Sequence, residues 1–278
     1  MPLSVDGSLV ANRRLVLILV SYHTSVVEVR RLASCLATLP SDVGYALVVN
    51  DHRVGEPIDQ LMQKADIFLP LDRNLGYGAA VNRAVAVLQQ TTAAAGQSMA
   101  PYLGVLNTDL HWSEGTMESA LAWLEDHPAV VLAVPQLLDP RGVVQQLCKH
   151  HPTVLGLLSR RFWPQRIKPG CLRRYDDWYV MADHDYRRVF DVPYLSGCCM
   201  LMRTAAFLDV GGFDERFFLY LEDADLTRAL ASRGRCVHLP VVAVTHYWGR
   251  GNHRSWLLTL VNLHSAWVYF RKWGLSLF

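Results

Sequence analysis

Short β-branched and leucine-rich runs alternate with longer stretches of helical period through the first half of this chain. The runs are 15 to 20 (LVLILV), 45 to 50 (YALVVN), 66 to 69 (DIFL) and 102 to 106 (YLGVL), and helical spacing fits 25 to 37, 77 to 90 and 115 to 126. Such alternation dictates βαβ units and an α/β fold on a mainly parallel central sheet flanked by helices. Ligands on these sheets bind beyond the carboxyl ends of the strands. Each end here is polar: Ser21, Tyr22 and His23 follow the first strand, Asn50 and Asp51 close the second, LDRNLGYG (71 to 78) follows the third and NTD (107 to 109) the fourth. One such group is ordinary loop composition; four on one sheet edge mark a site.

The remaining chain bounds the possibilities. With 278 residues, 51% of them hydrophobic, it can bury a sizeable core, and a net charge of +2 argues against bulk nucleic-acid binding. Six cysteines without a CxxC pair favour neither a zinc site nor a disulfide framework, so a cytoplasmic, reducing location is the simpler expectation. RRLVLILVSYH (13 to 23) begins like a secretion signal, but its apolar run is short and no cleavage site follows, so it reads as a buried strand. No stretch reaches the roughly 18 apolar residues of a spanning helix, which leaves a soluble or peripheral protein.

Regularity breaks from 139 to 191, where prolines and the basic, aromatic run RRFWPQRIKPGCLRRY (160 to 175) read either as a loop meeting anionic lipid or phosphate, or as a solvated loop. It returns with an apolar strand at 192 to 202, a helix at 204 to 209, a turn at GGFDERF, an acidic helix, strands near 235 to 239 and 241 to 245, and a terminal helix at 254 to 272. The expected organisation is one domain over 1–252 with a helical extension over 253–278. In that extension Trp256, Leu260, Leu263, Trp267 and Phe270 recur at near-helical spacing, suiting either a bilayer interface or packing on the domain.

Several residues could carry chemistry. Asp109, held just past a buried strand, suits a divalent cation that also binds diphosphate oxygens, or else an Asx turn. His246 follows a strand, where an imidazole could complete a manganese-like site or simply pack. Asp51 could accept the N3–H of a uracil or thymine with Tyr22 stacking on the ring, or could initiate a turn. NLGYGAAVNRAV (74 to 85) enters a helix whose free N–H groups suit phosphate, although it lacks the Walker ending. YLEDADLTRAL (220 to 230) places Glu222, Asp223 and Asp225 where a helix begins. Asp225 can pair with Arg228 three residues on, a structural task, whereas Glu222 and Asp223 can face a cleft, where a carboxylate serves as general base for an alcohol.

LVSYH, VVND, RNLGYGAAVNRAV, LNTD, YLSGCCMLMRTAAFLDVGGFDERFFLYLEDADLTRAL and THYWGRGNHRS, in this order over about 15 to 255, resemble the inverting family-2 glycosyltransferases of the GT-A (Rossmann-like) fold. The similarity is to bacterial members that transfer rhamnose or related sugars during surface-polysaccharide or lipopolysaccharide assembly. It implies a dTDP- or UDP-linked sugar donor bound by Tyr22, Asp51, Asn74, Gly76, Asn82, Asn107 and Asp109. It also implies a glycan or lipid-linked acceptor against Gly197 and Glu222, Mg²⁺ or Mn²⁺ on Asp109 and His246, and Asp223 as catalytic base with Glu222 as acceptor contact or alternate. Asn107 stands where the family's DxD motif has its first Asp, and Leu221 stands where Gly, Asn or a polar residue is frequent, a change that narrows the acceptor cleft. Sugar-phosphate nucleotidylyltransferases fit less well, because their Gly-rich N-terminal signature is absent from 15 to 40. An inactive nucleotide-binding scaffold is the non-enzymatic alternative, and the presence of Asp109, Asp223 and His246 counts against it.

Overall fold

The computed structural model describes residues 4–5, 13–163, 167–247 and 256–278. Its centre is a twisted sheet in the order β1-β4-β3-β2-β5-β9-β7-β10-β6, with β8 pairing on β10. β2 (Leu15–Ser21), β3 (Val43–Val49), β4 (Ile67–Pro70) and β5 (Tyr102–Asn107) run parallel, and β1 (Ser4–Val5) closes the edge against β4. Every residue of β2 and β3 is buried, as expected of strands covered by helices on both faces. Those covers include α1 (Val26–Leu36), α2 (Asp59–Met62), α3 (Tyr77–Ala94) and α4 (Thr116–Asp126). The Ser25 hydroxyl accepts from the Glu28 amide while Glu28 accepts from the Ser25 amide, a reciprocal cap that fixes where α1 starts.

The sheet changes character at β9 (Cys199–Arg203), which lies antiparallel between β5 and β7 (Val130–Leu138). Cys199 pairs with Leu106, and the Cys198 carbonyl accepts from the Asn107 amide, so the segment before β9 emerges where β5 ends. β10 (Arg235–His246) runs parallel to β7 and pairs at its far end with the two-residue β6 (Leu110–His111). That pairing carries His246 to the turn containing Asp109.

Several expectations are corrected. The strands at 235 to 239 and 241 to 245 are one strand, irregular between Leu239 and Ala243. β7 is missing from the sequence reading because Pro135 interrupts its pattern; it is tolerated where it faces Leu239, at that irregularity. The apolar run 192 to 202 is a strand only from Cys199. Within 139 to 191 lie two helices, α5 (Val154–Phe162) and α6 (Gly170–Tyr179), followed by β8 (Phe190–Asp191). Lys168, counted among the cations of a lipid- or phosphate-facing loop, is instead buried against Asp176, whose other oxygen accepts from Ser159. Arg166 lies outside the described residues.

The second half ends in α7 (Thr204–Asp209), α8 (Glu222–Leu230) and α9 (Trp256–Trp273). α9 packs on the domain through Val268 and Tyr269, which join Tyr194, Phe217, Leu221 and Ala224 in a satellite core, while Phe270 packs at its margin. Trp256, Leu260, Leu263 and Trp267 remain exposed, so the apolar stripe divides between packing and solvent. Asp225 does not pair with Arg228 as the helical spacing suggested. Its oxygens accept from Lys272 Nζ (2.8 Å) and Trp273 Nε1 (2.7 Å) of α9, and Arg228 turns to the Tyr269 hydroxyl (3.2 Å). Replacing Asp225 by Ala should cost about 2–3 kcal/mol, because a buried charge-assisted pair is lost and Trp273 is left without its acceptor. Urea denaturation of the variant against the native chain checks this, with unchanged stability showing that the brace carries no load.

Candidate functional site

A cleft of about 670 Å³ opens at the carboxyl edge of the sheet where β5, β9 and β10 meet. Its floor includes Asn107, Asp109, Gly197 and His246; one wall carries Tyr220 to Asp223, and another carries Lys149, Tyr179 and Tyr194. Residues of α5 and α9, among them Leu157, Arg160, Leu258 and Asn262, form the rim.

Asp109 and His246 meet because β6 pairs with the end of β10. His246 Nε2 lies 3.3 Å from Asp109 Oδ2, and the Asp109 carbonyl accepts from the Tyr247 amide at 2.8 Å. Gln145 donates Nε2 to the carbonyls of His246 (2.9 Å) and Leu138 (3.2 Å), which turns its Oε1 toward His246 Nδ1 at 3.0 Å. An acceptor there fixes the proton on Nδ1 and aims the lone pair of Nε2 at the carboxylate, the tautomer control seen in metal-binding histidines. Two electron-rich atoms at that separation are favourable only with a proton or cation between them. Asp109 Oδ1 is buried without a hydrogen-bond partner among the described residues. Nitrogen and oxygen donors with one orphaned oxygen fit Mg²⁺ or Mn²⁺, which draw their remaining ligands from diphosphate and water. No group of three or more His, Cys, Asp or Glu side chains able to hold a metal occurs among the described residues.

The acidic pair sits across the cleft. Tyr220 and Leu221 both have positive φ, 71° and 66°, an uncommon conformation for such side chains, and this sharp turn delivers Glu222 and Asp223 as the first residues of α8. Buried Leu221 lines the cleft. Asp223 Oδ2 accepts from the Gly197 amide (2.9 Å) and Oδ1 from the Ala224 amide (3.0 Å). A Cβ on Gly197 would stand 3.0 Å from Asp223 Cβ, so glycine is what lets the two segments approach. Glu222 is buried and its Oε2 lacks a partner among the described residues. Burial, followed by the neighbouring Asp223 charge, pushes the Glu222 carboxyl well above the ordinary range. The neutral form of Glu222 is thereby favoured.

Lys149, absent from the sequence reading, is the principal addition. Its backbone pairs with Tyr194 in both directions at 3.0 Å, and its ammonium lies 4.1 Å from the centre of the Tyr194 ring. Burial pulls its pKa down, with the Asp223 charge opposing. Nothing local in CKHHP announces a cleft lysine; only its pairing with Tyr194 places it. Tyr77, also missed, donates its hydroxyl to the Gly197 carbonyl at 3.2 Å.

The remaining candidates lie apart from this cleft. Tyr22 and Asp51 stand after β2 and β3 on the same sheet edge, Tyr22 half-exposed and Asp51 Oδ2 engaged by Arg53 (2.9 Å) and His23 (3.3 Å). Asn74 accepts from Asn50 Nδ2 and the Gly76 amide, both at 2.9 Å, making a bracket that holds the turn into α3; Asn50 was overlooked as its partner. Gly76 has φ 88° and meets the Phe218 carbonyl so closely that a Cβ there would collide with it. Asn82 bonds the Phe213 backbone through both ends of its amide and Glu215 through its nitrogen, so it anchors the GGFDERF turn and lines a separate concavity. The stretch of THYWGRGNHRS beyond Tyr247 falls outside the described residues.

Solved structures share this architecture: GalNAc-T7 with UDP, GalNAc and Mn²⁺ (12% identity, TM-score 0.62, 95% of this chain and 48% of that one), and the mannosyltransferase PcManGT of Pyrobaculum calidifontis with GDP-Man and Mn²⁺ (14%, 0.56, 92% and 63%). S. aureus TarS is similar at 18% identity and TM-score 0.54, over 84% of this chain and 37% of that one. The chain therefore spans about half of the first of these proteins, and the fold they define is that of the GT-A glycosyltransferases. The N-acetylglucosaminyl-diphospho-decaprenol L-rhamnosyltransferase of Mycobacterium tuberculosis is 30% identical over 258 residues, 86% of this chain and 81% of the relative, in each of the strains CDC 1551 and H37Rv. The chain belongs to the family-2 glycosyltransferases of the GT-A fold, among the bacterial rhamnosyltransferases. No family model matches it.

Two outcomes follow from this geometry. Replacing His246 by Ala should weaken Mn²⁺-supported binding of dTDP or UDP by about tenfold or more, on the scale of a lost ligand or its outer-shell support, with little change in EDTA; calorimetry reads both, and equal affinity in the presence of Mn²⁺ would remove His246 from the metal shell. Glu222 releases its proton at higher pH in the folded chain than when unfolded, so the folded state binds more protons in that window and stability falls as pH rises through it. Glu222→Gln should flatten that fall in Tm between the ordinary carboxyl range and about pH 8, and a variant with the native slope would refute it.

Proposed function

We propose that this protein transfers a sugar, L-rhamnose by analogy with its mycobacterial relative, from a dTDP- or UDP-linked donor to a hydroxyl of a lipid-diphosphate-linked glycan, with inversion at the anomeric carbon. The observation that carries this reading is the position of Asp223, fixed by the Gly197 and Ala224 amides on the cleft wall beside a neighbour that retains its proton. Asp223 is the general base. It takes the proton of the acceptor hydroxyl as that oxygen bonds to the anomeric carbon, and the bond to the nucleoside diphosphate breaks on the opposite face. Glu222, kept neutral, contacts the acceptor without competing for its proton, and Gly197 permits the close approach.

Asp109 and His246 would hold Mg²⁺ or Mn²⁺, whose charge stabilises the departing diphosphate when bound. Asn107 completes this part of the donor site, while Tyr22 and Asp51 hold the base and the Asn74–Gly76 turn shapes the approach to α3. Asn82 serves the donor side indirectly, by fixing the 213–215 backbone. The GT-A unit comprises 1–252, and the 253–278 extension supplies the acceptor rim and a peripheral membrane contact at the cytoplasmic face. No helix among the described residues is long and apolar enough to cross a membrane.

Transfer assays with dTDP-rhamnose and a polyprenyl-diphosphate N-acetylglucosamine acceptor test the reading. Asp223→Asn should lower kcat by about 10²–10⁴-fold, the usual scale of a lost general base, with nucleotide affinity retained. Near-native turnover would remove Asp223 from the base role, and absence of binding to dTDP, UDP, GDP and CDP alike would favour an inactive scaffold.

A further inference from the structure

Between α5 and α9 lies a groove of about 120 Å³ that the transfer chemistry leaves unused. Val154, Leu157 and Leu158 line one side, and Leu263, Ala266 and Phe270 the other. Leu157 and Asn262 line both this groove and the reaction cleft, so the two spaces adjoin. Leu158 and Leu263 are about half-exposed at the outer side, and α9 adds Trp256, Leu260 and Trp267 to the exposed apolar surface there. On the cleft side stand two cations, Arg160 of α5 and Lys149, the latter close enough to Asp223 for their charges to interact.

The walls therefore change from apolar to cationic to acidic from the groove into the adjoining cleft. A polar acceptor would bring nothing to cover the apolar part, and a simple hydrocarbon would leave the cations unmatched. The ligand complementary to the whole path is an amphiphile: a hydrocarbon chain, then an anionic phosphate or diphosphate, then a sugar hydroxyl presented to Asp223. The exposed Trp256, Leu260, Leu263 and Trp267 of α9 give an apolar strip that suits contact with a bilayer surface, where such a chain resides. Exposed Arg271, at the basic end of that helix, follows the same logic.

We infer that the α5–α9 groove receives the hydrocarbon segment of the acceptor lipid nearest its phosphate, with Arg160 and Lys149 meeting the anion. This rests on the lipid-linked acceptor reading and adds the place where the lipid is recognised. The groove accommodates a single branched segment, and the remaining chain stays in the membrane against the exposed face of α9. Recognition of the first segment rather than the whole chain makes the enzyme sensitive to the presence of a chain and tolerant of its length.

The test compares two acceptors bearing the same sugar and diphosphate, one on a long polyprenyl chain in detergent micelles and one on a short water-soluble aglycone. Ala266→Trp fills the groove, and Leu263→Asp makes it polar; calorimetric binding of dTDP or UDP confirms that each variant is folded. Both variants should raise KM for the polyprenyl acceptor by about tenfold or more, the loss expected when a buried apolar contact is removed, while kcat/KM for the soluble acceptor stays near native. An unchanged KM for the polyprenyl acceptor, or an equal loss on both acceptors, would overturn the assignment. So would loss of sedimentation with acceptor-free anionic vesicles without a change in KM, which would make the groove a seat for bulk lipid. A native enzyme that uses neither acceptor would instead overturn the acceptor reading beneath it.

Discussion

The antiparallel insertion of β9 between β5 and β7 is the constraint on which the site depends. A wholly parallel sheet would carry each new segment away from the carboxyl edge through a crossover helix. By running the other way, β9 begins at that edge, and the Asn107–Cys198 bond sets Gly197 beside the end of β5. The turn into α8 can then lay Asp223 against the Gly197 amide, while β10, parallel to β7, returns His246 to Asp109. One reversal in strand direction thus gathers groups from four separated parts of the chain.

The electrostatics of the cleft follow from this crowding. Asp223 has two amide donors, whereas Glu222 is buried with an oxygen left unsatisfied. Burial, with the Asp223 charge adding to it, favours the neutral form of Glu222. Lys149 does not neutralise the pair through direct contact; it rests over the Tyr194 ring, partly desolvated and still positive in its influence on Asp223. On the floor across from the acidic pair His246 pairs with Asp109, so acidic groups face the cleft from two sides.

Sequence patterning made the parallel half of the fold legible because buried strands and amphipathic helices leave strong periodic signals. The ends of β2, β3 and β5 could be read for the same reason, as could the acidic start of α8. What escaped detection depended on long-range pairing. β7 was obscured by Pro135, whose cost is absorbed where β10 is itself irregular, and α5 and α6 were hidden by the prolines around them. Lys149 and Gln145 acquire significance only from Tyr194 and His246, to which no local pattern joins them. Asp225 misled for the opposite reason: a plausible local partner, Arg228, stood within helical reach, while α9 offered better ones.

The brace from Asp225 to Lys272 and Trp273 joins the two flanks of the cleft. Lys272 reaches on to Asp214 at 3.0 Å, so α9 is fastened to the 214–225 segment, and that segment is tied in turn to α3, where the Tyr77 amide donates to the Phe218 carbonyl and Asn82 bonds the Phe213 backbone. A shift of α9 that moves this segment is therefore felt at the start of α3. The flanks behave as one mechanical unit, and a substitution on either is read by both.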